Sequence, residues 1–442
     1  MISHRELETR ESGRRRILVL SPRDPYPVIG GDRLRIHRIA RELSRRYDLT
    51  LLTFCASESD RCASPPADGV FKHVRRIVLP RWRCWLNALA ALPSREPLQV
   101  AYYRSAAFEA AVQELAASHD AVLAHLVRVA DYARDLPSVR VLEMTDAISM
   151  NMERVAATPH WFDPRHHIYA IESRRLLRYE RRIAADFDLV TLTSHVDKAF
   201  LFNDASVPDE QLMVVANGVD VPPGGEDRLP RHETRLAKEI VFVGNLESLQ
   251  NFDAVWFFAR LVLPEIRARR PGAELRVIGQ VRGIAARRLA ALPGVRVEGF
   301  VPALDEALAT ARIGICPTRA GSGIQNKILS YFANGLAVVS SPVGLEGLEA
   351  RPDEHVLVAV SPREWADRVI RLLDDQGLAQ RLADAGHALA VRHYRWDKRV
   401  LPLVERLEEV FDRNARTEAR GAALSARGHR PMVAARVVAR RP

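Results

Sequence analysis

The stretch Ile313–Leu348, IGICPTRAGSGIQNKILSYFANGLAVVSSPVGLEGL, carries the reading of the fold. Ile313 to Cys316 reads as a buried strand, and the loop behind it holds Gly321 and Gly323. Helical spacing then begins at Ile324 and continues through Ile328, Leu329 and Phe332. Asn334-Gly335 reads as a left-handed cap, and a second apolar strand, Leu336 to Ser340, follows directly. Strand, glycine loop and helix in that order make an anion site. Glycine lets the backbone approach a phosphate closely, and the free amides of a helix start carry about half a positive charge. Arg319 and Lys327 set full charges beside the loop, a solvated helix face being the plainer reading of both.

Outward from this unit, strand and helix alternate in two arrays. The first opens with a strand at 16–20, a Pro-rich loop ending in Gly30-Gly31, an amphipathic helix from about Asp32 to Arg46 with Leu34, Ile39 and Leu43 inward, and a strand at 49–54. Such a unit has parallel strands and a right-handed crossover. Its glycine loop lies at the carboxyl end of the first strand, where open sheets of this kind bind ligands; a tight turn before a helix is the alternative. Further strands are expected at 75–79, 121–125, 140–143, 189–193 and 213–216, with helices at 108–118, 169–185 and 196–202. The polar stretch 221–238 reads as a hinge. The second array has strands expected at 239–243, 274–278, 295–298, 313–316, 336–340 and 355–359, and a helix over 252–268. A last helix, about 397–413, carries Val400, Leu401, Val404, Leu407 and Val410 at helical spacing. The fold class is therefore α/β: two parallel-sheet domains, 16–220 and 239–396, facing each other across a cleft.

The 442 residues are 47% hydrophobic, enough for two or three cores. No apolar run reaches the roughly 18 residues that span a bilayer. The short apolar start at Ile17–Leu20 leads into a Pro-rich loop without a small-residue cleavage site, so a cytoplasmic location is expected. Cys55, Cys62, Cys84 and Cys316 form no Cys-x-x-Cys and have no paired histidines, and no disulfide frame or zinc site is expected. The net charge is +10, of which residues 415–442 contribute +6 from seven Arg and one Glu. This basic tail, like the head 1–15, is expected to be disordered. Without a nucleic-acid motif or stacking platform, the partner class that suits it is an anionic membrane surface, not nucleic acid. Residues 79–98 place Trp82, Trp85, Leu86, Leu89 and Leu92 on one helical stripe beside Arg81, Arg83 and Arg95, which fits either a membrane interface or a core-facing helix.

The Gly-x-Gly, Asn326-Lys-x-Leu329, Ala-x-Gly335 and Val-Val339 elements resemble the donor-sugar loop of family 4 glycosyltransferases, which have the GT-B fold. Around them, Pro25-Tyr-Pro27 with Gly30-Gly31, Val214-Val-Ala-Asn-Gly-Val-Asp220, Val241-Phe-Val-Gly-Asn-Leu246 and Gly299-Phe-Val-Pro302 are similar to further signatures of that family, in order, over nearly all of 16–413. They are closest to sugar transferases of bacterial exopolysaccharide clusters. Ser322 and Ser330 stand where the family usually has two glutamates, and Asn245 and Gln250-Asn251 where it usually has Arg and Lys.

The resemblance implies an N-terminal acceptor domain, a C-terminal nucleotide-sugar domain and a last helix (397–414) that crosses back to the first. It implies retention of configuration and no metal or other cofactor. His125, at a strand end, matches a family histidine that contacts the donor sugar; with Lys327 and Arg319 it makes the expected catalytic set. Gly30, Gly31, Gly244, Asn245, Gly321, Ser322, Gly323, Ile324, Gln325 and Ser330 are the expected donor-binding positions. Asp146, Trp82 and Trp85 are placed on the acceptor side, with a cap for the helix near Ile148 as the alternative for Asp146. Asp186-Phe187-Asp188 spells the Asp-x-Asp of metal-dependent transferases, but its helix-to-strand junction favours a turn or cap. The implied partners are a nucleotide-sugar donor and a lipid-linked or glycan acceptor. A nucleotide-sugar epimerase, and a non-catalytic paralogue scaffolding polysaccharide assembly, are the alternatives.

Overall fold

A computed structural model describes residues 13–64, 66–157, 165–221 and 239–428. Strands β1 (Arg16–Ser21), β2 (Asp48–Cys55), β3 (His73–Val78), β4 (Ala121–His125), β5 (Val139–Thr145), β6 (Leu189–Leu192) and β7 (Leu212–Val214) form one sheet in the order β3-β2-β1-β4-β5-β6-β7. Strands β8 (Glu239–Val243), β9 (Glu274–Ile278), β10 (Val295–Gly299), β11 (Ile313–Cys316), β12 (Ala337–Ser340) and β13 (Leu357–Val358) form a second, in the order β10-β9-β8-β11-β12-β13. Every pairing in both sheets is parallel. Helices cover both faces, which is why the central strands are apolar throughout: β1 and β11 bury almost every side chain. Two Rossmann-like α/β domains result.

In each sheet the chain reverses its direction of winding once, between β1 and β4 and between β8 and β11. Loops at the carboxyl ends of such a pair diverge and leave a crevice, the usual ligand site of open α/β sheets. The glycine loop after β1, His125 at the end of β4, Gly244-Asn245 after β8 and the Thr318–Gln325 loop after β11 all stand at these two points.

The last helix, Trp396–Gly428, belongs to the first domain's core. Its Trp396, Val400, Leu403, Val404, Leu407, Val410 and Phe411 pack with Ile17, Val19, Ile36 and Leu49. Gly218 is small because Trp396 lies on it: a methyl group there would sit 2.6 Å from the indole. Two expectations about the chain ends need correction. The helix does not stop near Arg413 but continues to Gly428, so part of the basic tail is helical. Nor are residues 13–15 of the head loose, since Arg15 pairs with Glu408 and stacks on Phe411 at 4.4 Å, two partners supplied by that helix. Residues 1–12 and 429–442, and the expected hinge beyond Val221, lie outside the described residues.

Candidate functional site

The loop after β11 ends in a helix, Asn326–Ala333, that starts two residues later than its apolar spacing suggested. Gly323 takes the left-handed conformation (φ 64°), Ile324 is buried, and Gln325 is extended, so regular turns begin only at Asn326. The helix ends as expected at Asn334-Gly335 (φ 63°), where the amide of Leu336 bonds back to Tyr331 O at 2.9 Å. Tyr331 locks the helix onto the sheet. Its hydroxyl accepts from the Val243 amide at 2.8 Å, and its ring lies on Gly314, where a methyl group would come within 2.5 Å. The N-terminal amides and Lys327 are thereby fixed against β8 and β11.

Lys327 is buried, and burial lowers its pKa from the ordinary lysine value. Its Nζ donates to Gln325 Oε1 at 2.9 Å and to Asn251 Oδ1 at 3.1 Å, and stands 5.3 Å from the Phe242 ring centre. Among the described residues no carboxylate pairs with it. Arg319 differs: its guanidinium is bound by both oxygens of Asp253, Nε at 2.9 Å, and lies over Phe257 at 5.0 Å. The two cations expected to act together thus have different duties. Lys327 keeps an uncompensated charge, whereas the charge of Arg319 is already met and pins the loop to the helix after β8.

The first domain meets this loop at several points. Asn217 Nδ2 donates to Asn326 Oδ1 at 2.8 Å, and the Cα of Gly31 faces Asn326, whose Nδ2 would be 3.6 Å from a methyl group built there. Arg154 Nη1 donates to Gly321 O at 2.7 Å and to Glu346 Oε2 at 2.6 Å. Asp146 presses on Gly323 and accepts from Thr193 Oγ1 at 2.7 Å, while Asp197 Oδ1 accepts from the amides of Ala147 at 2.9 Å and Gly323 at 3.3 Å. Asp146 therefore faces the glycine loop and caps nothing; Glu180 takes the amide of Ile148 instead. One of the amides expected to be free, that of Gly323, is already engaged. His125 is buried, with Nδ1 2.5 Å from Glu143 Oε2.

Burial, reinforced by their mutual charge, raises the pKa of Asp146, and burial likewise raises that of Asp197 against the hydrogen bonds it receives. Burial also lifts Glu180 from 4.5 to about 7. A carboxyl group whose pKa is raised by folding binds its proton more tightly in the folded state. Stability is then greatest below the ordinary carboxylate value and falls as pH climbs through the window toward about 7. We expect the Tm to be lower at about pH 8 than at about pH 5, and D146N, which keeps the Thr193 bond without a charge, to flatten that slope. An equal slope in D146N and wild type would contradict this.

Other expected positions fall as follows. Gly244 and Asn245 form the tight turn after β8, the Asn245 carbonyl accepting from Asn251 Nδ2 at 3.0 Å and the Gly244 carbonyl touching Gly279. Ser322 and Ser330 are half-buried on the glycine loop after β11 and the helix that follows it. Trp82 and Trp85 are 65% and 63% exposed on the Arg81–Ala90 helix, which excludes the core-facing reading of that stripe. Asp188 pairs with Arg140 and Asp186 with Arg134, so the Asp-x-Asp secures a junction. Glu143, Arg35, Asn217, Asp197 and Arg154 were not singled out as site residues. A glutamate inside the apolar strand Val139–Thr145 was the readable signal for the first, whereas Asp197 has the spacing of an ordinary helix start, its amide bonded to Ser194 Oγ at 3.0 Å.

Residues 237–375 match the family model described as glycosyl transferases group 1. The chain is 22% identical over 370 residues to an uncharacterised 44.6 kDa protein of the Klebsiella pneumoniae cps region, covering 80% of this chain and 90% of that one. Among solved structures it is similar to sucrose-phosphate synthase from Thermosynechococcus elongatus, with TM-score 0.69, 16% identity, and coverage of 90% of this chain and 100% of that one. HepE of Anabaena, solved in complex with UDP and glucose, has TM-score 0.62, 15% identity, and coverage of 89% and 99%. The two-domain architecture is that of the GT-B fold.

Proposed function

We propose, from the match of residues 237–375 to the family model described as glycosyl transferases group 1, that this chain moves a sugar from a nucleotide-sugar donor to a glycan or lipid-linked acceptor. One observation carries the reading. The crevice loops of both sheets converge on one residue, Asn326, which starts the helix bearing the uncompensated Lys327 and is touched by Gly31 and Asn217 of the other domain. During transfer, negative charge grows on the departing diphosphate as the anomeric carbon becomes oxocarbenium-like. Donors aimed at those oxygens therefore stabilise the transition state more than the ground state. Lys327 and the first amides of its helix are such donors. Arg319 acts one step back, by holding their loop.

The reading extends to a retaining, metal-independent family 4 enzyme of exopolysaccharide or other cell-surface polysaccharide synthesis. The cps-region relative supports the polysaccharide part of that extension and the UDP- and glucose-bound neighbour the nucleotide-sugar donor; retention and metal independence follow from the resemblance to family 4. Turnover of UDP-, GDP- and dTDP-sugars with vesicle-presented acceptors tests it, run with and without EDTA. Transfer that survives chelation is expected. Epimer formation, or binding with no turnover by a folded chain, would overturn it; the second outcome fits the scaffold reading that Ser322 and Ser330 favour.

The proposal places the enzyme at the cytoplasmic face of a membrane. No helix among the described residues is long and apolar enough to cross one. Instead, Trp82, Trp85, Leu86, Leu89 and Leu92 are exposed together, and Arg175, on the helix that also exposes Ile168 and Ile171, bonds to Leu92 O at 2.8 Å. Arg81, Arg83 and Arg95 flank them, and each cation near an anionic surface is worth about 1 kcal/mol. W82S/W85S is expected to weaken binding to anionic vesicles at least tenfold, read by flotation, while calorimetric UDP affinity persists. Unchanged flotation would remove the membrane assignment.

A further inference from the structure

A buried polar chain links His125 to the start of the Lys327 helix, and the chemistry above uses only the helix end of it. Glu143, on β5, is fully buried. Its Oε2 meets His125 Nδ1 at 2.5 Å, and its Oε1 accepts from Arg35 Nε at 2.7 Å and from the Thr145 amide at 3.0 Å. Arg35, also fully buried, donates from Nη1 to Asn217 Oδ1 at 2.8 Å. Asn217 in turn donates to Asn326 Oδ1 at 2.8 Å. Five side chains from β4, β5, the Gly31–Leu43 helix, the end of the first domain and the start of the donor helix therefore share one set of bonds.

The donor and acceptor roles along this chain are determined. Burial pushes the Glu143 carboxyl up, but the charge of Arg35 and the bond from His125 outweigh it and hold the group at about 2. An ionised carboxylate only accepts, so His125 Nδ1 carries a proton and, in the neutral ring, the Nε2 lone pair is free for other work. Among the described residues Nε2 has no hydrogen-bond partner. A buried Arg–Glu pair is weak evidence for stability by itself, since desolvating the two charges offsets much of their attraction. What sets this pair apart is where two of its remaining bonds go: one to the ring at the crevice, one through Asn217 into the second domain.

We propose that Glu143 is a positioning residue for the transfer: it fixes His125 as the Nδ1–H tautomer and, through Arg35 and Asn217, ties that ring to Asn326 on the donor helix. The inference rests on the transferase reading above. It makes ring orientation depend on how the domains are docked, so that His125 and the donor are aligned only when Asn217 reaches Asn326.

The test uses the full chain and three variants, E143Q, E143D and N217A. In E143Q the amide can either donate to or accept from Nδ1, so the tautomer preference is lost; E143D keeps the charge and serves as the conservative control. Long-range ¹H–¹⁵N spectra of the histidine-labelled chain are expected to show Nδ1–H at His125 in wild type and E143D, and a mixture in E143Q. Calorimetric UDP affinity is expected to stay within about threefold in E143Q. Turnover of UDP-glucose, or of whichever sugar in the panel the wild type consumes, is expected to fall about 10²-fold in kcat, with partial recovery in E143D and a smaller loss in N217A. An Nε2–H ring in wild type, an unchanged tautomer in E143Q, or a loss confined to UDP affinity would overturn the proposal. A wild type that consumes no nucleotide-sugar overturns the transferase reading instead, and the tautomer comparison then decides the His125–Glu143 assignment alone.

Discussion

Replacing Lys327 by methionine is expected to lower kcat/KM for the nucleotide-sugar about 100-fold while leaving the chain as stable as wild type or more so. The two halves of this prediction have one physical source. The Lys327 ammonium is buried, and its partners are two neutral amide oxygens, those of Asn251 and Gln325. Removing a cation from water without an anion beside it costs free energy, and the lowered pKa records that cost. For a lysine the sign is fixed: the folded state is penalised wherever the unfolded chain is charged, that is, at all pH values below the ordinary lysine pKa of 10.5. Methionine fills similar space without the penalty, and the half-buried amides of Asn251 and Gln325 can turn to water. On the proposed function a diphosphate would meet that charge, and losing one such donor typically costs about 3 kcal/mol of transition-state stabilisation. Steady-state kinetics and a melting curve on the same preparation check both halves. A destabilised K327M with unchanged kinetics would make Lys327 a structural residue.

Gly323→Ala is expected to destabilise the chain by about 3 kcal/mol and to reduce transfer more than tenfold. Gly323 has φ 64°, where an L residue is strained by about 1 kcal/mol. The larger part comes from the neighbour. An alanine Cβ would stand 1.9 Å from Asp146 Oδ1 and 2.4 Å from its Cγ, so either the donor loop or the Asp146–Thr193 bond must give way. Because the overlap is with a named side chain, the prediction has an internal control: G323A/D146A should be less damaged than the two single changes added together. Strict additivity in calorimetric Tm would show that the domains do not meet as described.

The fold was legible because the sheets are parallel and covered on both faces. Runs such as Ile17–Leu20, Ala121–Ala124 and Ile313–Cys316 have no polar face to confuse, and their alternation with helices forces two Rossmann-like units. β3 was harder. It begins at His73 and carries Arg76, which is buried because Asp24 meets it, and a charge in a strand blurs the apolar pattern. The glycine loop and the helix after β11 were legible for a local reason, since glycines, helix start and Lys327 lie within a dozen residues. What the sequence concealed is pairing across distance. Arg319 reads as a free cation until Asp253 closes on it, and Glu143 and Arg35 read as stray charges until the fold brings β5 and the Gly31–Leu43 helix together and pairs these residues, 108 positions apart. Asn217 belonged to a quoted motif, yet its task depends on Asn326 in the other domain. The Trp82–Leu92 stripe was ambiguous because periodicity reports only that one face is apolar, and exposure then removed the core-facing alternative.

A crystal structure of the chain grown with UDP, or with the nucleotide-sugar it consumes, tests the central claim most directly. The account predicts diphosphate oxygens within hydrogen-bond distance of Lys327 Nζ and of the first amides of the Asn326–Ala333 helix, with the nucleoside on the second domain. Nucleotide bound elsewhere, or none at saturating concentration with the Lys327 environment unchanged, would contradict it.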